Sequence, residues 1–121
     1  MLDTRIILSA LWVALMLVFL LGDVLRIFSG DFKAGEIGGM RVTQNMWLGI
    51  AMLMVIPIIM VLLAIILPQP VNRWTNIVVA IFFFVFNLAG LSTYPSAFDK
   101  FLIVVGLVFN ALTVWYAWNW I

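Results

Sequence analysis

From Ala10 to Leu21 the only side-chain group able to form a hydrogen bond is the indole of Trp12, and no residue carries a charge. A run of that kind has few ways to fold. A hydrocarbon core of roughly 30 Å takes about 20 helical residues to cross, and four stretches here are long and apolar enough: about 6–28, 44–67, 71–91 and 99–120. Their apolar residues run on without strict alternation, whereas a barrel strand alternates over about 10 residues. The expected fold is therefore all-α. It is an integral membrane bundle of four transmembrane helices, antiparallel and up-down, forming a single domain over residues 1–121. The first span could also be read as a secretory signal peptide. It ends in Asp23 and Arg26 with no small-x-small cleavage site after it, which favours a retained helix.

Composition supports this and removes several function classes. The chain is 67% hydrophobic and 9% charged, against about half and about a quarter for a soluble domain. A small soluble core could not cover so much apolar surface, so lipid must. A net charge of +1 offers no clustered basic face for nucleic acid. Without cysteine or histidine there are no disulfides, no thiolate chemistry, no haem ligation by His and none of the usual zinc or copper sites. No nucleophile–base set is available either. The glycines from Gly35 to Gly39 follow no strand and open no soluble helix, so they make no phosphate loop. The acids Asp3, Asp23, Asp31, Glu36 and Asp99 lie mostly in loops or at ends and do not converge on a metal. Neither a cofactor nor a metal is expected.

The connections have their own chemistry. Ser29 to Val42 is polar and glycine-rich and suits a solvated loop. Thr43 is placed to cap the second helix, which contains Pro57, a residue that transmembrane helices tolerate with a kink. Pro68-Gln69-Pro70 is a stiff turn that should bring the third helix back beside the second. Pro95 disfavours helix at Tyr94, and Asp99 sits early in the fourth helix, where the dipole favours it.

Polar groups at membrane depth are costly, so their spacing is informative. Asn72, Asn76, Ala80, Phe83, Asn87, Gly90 and Tyr94 share one face of the third helix. Asp99, Ile103, Gly106, Asn110, Thr113 and Ala117 share one of the fourth, and Ser9, Trp12, Met16, Phe19, Asp23 and Arg26 one of the first. These stripes should face each other inside the bundle. There, Asn87 and Asn110 would either bond across helices as structural glue or line a ligand cavity. Asp23 and Arg26, three apart, can pair locally. With Arg41, Gln44 and Asn45, which the threading places at the same end, they complete the candidate ligand-binding set of Asp23, Arg26, Arg41, Gln44, Asn45, Asn87 and Asn110. Trp47, Trp74, Trp115, Trp118 and Trp120 fall near helix ends as interface anchors. Trp12 is deeper and should pack in the bundle.

Thr4-Arg5, Leu8-Ser9-Ala10-Leu11-Trp12, Gly22-Asp23-Val24-Leu25, Asn72-Arg73-Trp74-Thr75-Asn76-Ile77 and Trp115-Tyr116-Ala117-Trp118 form a set. It resembles an uncharacterised family of small bacterial and archaeal four-helix membrane proteins, a domain of unknown function, over nearly the whole chain. In layout the chain also resembles DoxX-like membrane proteins. The resemblance implies the fold and no activity.

An even number of spans puts both termini on one side of a prokaryotic plasma membrane. Arg26, Lys33, Arg41 and Lys100 against Arg5, Arg73 and the terminal amine make the loop side cytoplasmic by about one charge. The basic tails of the resembled family imply the opposite, cytoplasmic termini, and that orientation is expected here. Two functions remain. One is a non-catalytic bundle that binds or passes a small solute or lipid, or assembles with other membrane subunits, with a homodimer expected. The other is a membrane enzyme or quinone-associated accessory subunit using a polar site around Asp23. A cavity reaching Asp23 would favour the second, and a filled interior with a large contact between copies the first.

Overall fold

A computed structural model describes residues 3–30, 36–37, 40–91 and 96–120. Four helices carry the fold: α1 (Thr4–Phe28), α2 (Gln44–Ile66), α3 (Gln69–Gly90) and α4 (Ala97–Trp118). Each is long and apolar enough to cross a membrane. Their starts follow from local chemistry. The Asp3 side chain accepts from the backbone N–H of Arg5 at 2.9 Å. Thr43 caps α2 as expected, its hydroxyl accepting from the N–H of Met46 at 3.2 Å. Such bonds occupy donors that have no partner within the helix. In α3, Pro70 sits in the first turn, where a missing N–H costs nothing. α2 runs on through Pro57, which is buried.

The connection between α1 and α2 was expected to be loop throughout. It contains two short strands, β1 (Glu36–Ile37) and β2 (Met40–Arg41), paired antiparallel with Glu36 opposite Arg41 and Ile37 opposite Met40. A Gly-Gly pair between β-capable residues is a hairpin signal that the glycine content alone obscured.

The helices neighbour one another in chain order around a ring that is slack at one seam. α1 packs against α2 and α4, and α4 against α1 and α3, while α2 and α3 touch little. The expectation that the proline turn would lay α3 along α2 is therefore corrected. The reason lies in residue size. α3 presents Asn76 and Ala80, and α4 answers with Gly106, Thr113 and Ala117, all buried, so these two backbones can approach. Of the small residues on α2, only Ala64 is buried.

Leu8, Trp12, Leu15, Met60, Ala64, Ile77, Ala80, Phe83 and Ala117 form one buried cluster. Trp12 meets Phe83 edge-on at 6.3 Å between ring centroids, a favoured aromatic geometry. The face expected on α4 is buried, as is that of α3 from Asn72 to Asn87; Gly90 is half-buried and Tyr94 lies outside the described residues. On α1 the face is rotated. Leu8, Ser9, Trp12, Leu15 and Gly22 are buried, while Asp23 is exposed.

Buried polar groups join the helices. The Ser9 hydroxyl donates to the Val61 carbonyl at 2.8 Å. Trp12 Nε1 donates to Asn76 Oδ1 at 2.7 Å, Asn76 Nδ2 donates to the carbonyl and side chain of Asn72, and Asn72 Nδ2 donates to the Ala64 carbonyl at 2.7 Å. That carbonyl would ordinarily accept from residue 68, which is proline and has no N–H. Asn72 takes the missing donor's place.

Candidate functional site

Two of the expected site residues meet at the C-terminal end of α1. Arg26 Nη1 donates to Asp23 Oδ1 at 2.7 Å, the local pair anticipated from their spacing, and Nε donates to Asp99 Oδ1 at 2.8 Å. The guanidinium thus bridges a carboxylate of its own helix and one from the first turn of α4. The two acids differ in setting. The Asp99 side chain is fully buried and that of Asp23 is 66% exposed. Spacing had placed Asp99 on the buried stripe of α4, but its role there was read as helix-dipole compensation. Only the fold brings Arg26 to it.

Gly22 makes room for this arrangement. A Cβ at that position would stand 2.9 Å from Arg26 Nη2. A side chain there would displace the guanidinium, which the two carboxylates hold in place.

Beside the bridge lies a cavity of about 340 Å³ to which all four helices contribute. Val18 and Phe19 of α1, Met54 of α2, Phe86 of α3, and Leu102 and Ile103 of α4 make its apolar wall. Asp23, Arg26 and Asn87 make its polar part. Asn87 is 8% exposed, and its Nδ2 has no hydrogen-bond partner among the described residues. That atom lies 3.7 Å from where a Cβ of Gly106 would stand. Asn110, one turn further along α4, is 1% exposed, and neither its Nδ2 nor its Oδ1 has a partner among the described residues. Asp99 Oδ2 is likewise buried and unpartnered among the described residues, and Asp99 is not part of the cavity's lining.

The expected set therefore divides. Asp23, Arg26 and Asn87 line the cavity. Asn110 is buried outside its lining, whereas Arg41, Gln44 and Asn45 are exposed and do not reach it. The glue role anticipated for Asn87 and Asn110 is carried by Asn72 and Asn76 instead. Among the described residues, no group of three or more acids could hold a metal ion.

At the other end of the bundle, Arg73 donates from Nε to the Ala117 carbonyl at 3.1 Å and from Nη2 to that of Trp118 at 2.9 Å. It stacks on Trp74 and Trp118, 5.3 and 5.2 Å from their ring centroids. The two tryptophans meet edge-on at 6.1 Å. The Asn-Arg-Trp and Trp-Tyr-Ala-Trp segments are thus parts of one structure: an arginine from α3 caps the last turn of α4.

Residues 2–120 match the model of a family described as a family of unknown function (DUF6326). No curated protein and no solved structure matches the chain.

Proposed function

The chain belongs to the DUF6326 family of unknown function, which brings no activity with it, and on the geometry we propose a non-catalytic multi-pass membrane protein that holds a small solute or lipid between its helices. The carrying observation is the cavity walled by all four helices, apolar along its sides and polar at Asp23, Arg26 and Asn87. Interiors are normally close-packed, and ligand sites begin at about 300 Å³ with a few polar groups in an apolar wall. A buried amide donor without a partner is the kind of group that a ligand satisfies.

In this reading the helices cross a prokaryotic plasma membrane antiparallel and up-down, with both termini cytoplasmic. Two contacts support that threading: the end of α1 meets the start of α4 through Arg26 and Asp99, and Gln69 at the start of α3 reaches the Trp120 carbonyl. The bundle is proposed to associate as a homodimer, supported by the outward Phe82 of α3.

The test is extraction and mass spectrometry of whatever co-purifies with the protein in mild detergent. Asn87→Leu should retain less of that molecule and melt at an unchanged temperature. Extracts of both proteins that contain only bulk membrane lipid, in equal amounts, would overturn the proposal.

A second reading has its own support, since the cavity does reach Asp23. A quinone ring could lie against Phe19 and Phe86 with a carbonyl accepting from Asn87 Nδ2, making the chain a quinone-associated accessory subunit. Quinone in the same extract would favour this form.

A further inference from the structure

We infer that the molecule taken by this cavity is an amphiphilic organic cation, a protonated amine on a compact apolar body. The inference rests on the cavity reading above and names its ligand class. It starts from charge. Among the described residues one guanidinium serves two carboxylates, so with both acids ionised the Asp23–Arg26–Asp99 bridge carries one negative charge in excess. An unbalanced charge at the edge of the hydrocarbon is costly and calls for a partner. Lys100, next to Asp99 in sequence, is exposed and does not line the cavity, so it does not supply the balance there.

The hydrogen-bond inventory agrees. Asp23 spends Oδ1 on Arg26 and lines the cavity. An ammonium brings donors and a positive charge and no acceptor. An anionic head, whether free phosphate or a phospholipid's, would add charge of the wrong sign. Asn87 Nδ2 asks for an acceptor, which a hydroxyl or ether oxygen, or an aromatic face, on the ligand's body provides. Phe19 and Phe86 in the wall suit an apolar or aromatic body and can face a cation. The volume is at the small end of ligand sites, so the body is compact.

The experiment is calorimetric titration of the purified full chain in maltoside detergent at neutral pH with three probes that share one body. These are 4-phenylbutylammonium, 4-phenylbutan-1-ol and 4-phenylbutyrate. A charge-assisted hydrogen bond to Asp23 should make the amine bind about tenfold tighter than the alcohol, with the carboxylate weakest. Asp23→Asn, at an exposed side chain, should lower amine affinity and narrow the gap to the alcohol, with thermal melting confirming a folded protein. Equal binding of amine and alcohol would overturn the cation inference and leave the cavity reading standing. The carboxylate binding tightest, or the amine preference surviving Asp23→Asn, would also overturn it. If no probe binds, the inference falls, and the extraction experiment decides the cavity reading separately.

Discussion

The indole Nε1 of Trp12 donates to Asn76 Oδ1 at 2.7 Å across the interior, and through Asn72 the same chain of bonds ends on the α2 carbonyl of Ala64. Three helices are joined by one buried relay. Replacing Asn76 with Leu leaves the Trp12 indole donor and the Asn72 Oδ1 acceptor without their bonds to it, while Asn72 Nδ2 keeps its bond to Ala64. Unsatisfied buried groups cost about 1–3 kcal/mol, although measured membrane pairs average about 0.6 kcal/mol. Asn76→Leu should therefore lower stability by about 1–2 kcal/mol in detergent unfolding. Trp12→Phe, which removes only the indole bond and part of the ring, should fold and give an intermediate loss. No change for Asn76→Leu would mean the relay contributes nothing.

Asn110 provides the contrast. It is as buried as Asn76, but neither atom of its amide has a partner among the described residues. Removing a buried polar group that makes no bond can be neutral or stabilising. Asn110→Leu should melt at or above the temperature of the parent protein. A loss as large as that of Asn76→Leu would show that Asn110 is bonded after all, to water or to a ligand.

Arg26 and Asp99 form an ion pair in which Asp99 is fully buried. Breaking such a pair from one side costs about 3–5 kcal/mol, because a charge is left buried without its partner. Arg26→Met and Asp99→Leu should each destabilise severely. The double replacement should recover most of the loss, since well-packed apolar residues often match a buried pair. A double mutant no better than the worse single would show that the two residues act independently.

Arg73 caps α4 and lies against Trp74 and Trp118. Lysine keeps the charge but lacks the planar fork that serves both carbonyls and stacks on the rings. Arg73→Lys should weaken the near-ultraviolet circular dichroism of the coupled tryptophans and lower the melting temperature, at a cost of about 1 kcal/mol. An unchanged spectrum would rule out a structural role for the stack.

Reporter fusions at residues 1 and 121 should report the same side of the membrane, and a fusion near Lys33 the opposite one. Disagreement between the termini would refute the up-down threading.

Some of this protein is legible in its sequence because the forces concerned are local. Hydrocarbon thickness sets the length of an apolar run, so four helices can be counted without a structure. The 3.6-residue period puts Asn72, Asn76, Ala80, Phe83 and Asn87 on one face of α3 and aligns Asp99, Gly106, Asn110 and Thr113 on α4, and these faces are buried. The Asp23–Arg26 pair is three residues apart on one helix and needs no fold to bring it together. Thr43 and Met46 are equally close. Tertiary structure decided the rest. Periodicity says which residues share a face but not which helix that face meets, and side-chain size settled that α3 lies along α4. Spacing also cannot say how far a long side chain reaches. Arg26 spans from α1 to Asp99, distant in sequence, because Gly22 leaves its guanidinium room. The same limit applies to the amides. Asn76 and Asn110 look alike in a helical stripe, and only the packed bundle puts an indole beside one and, among the described residues, no partner beside the other.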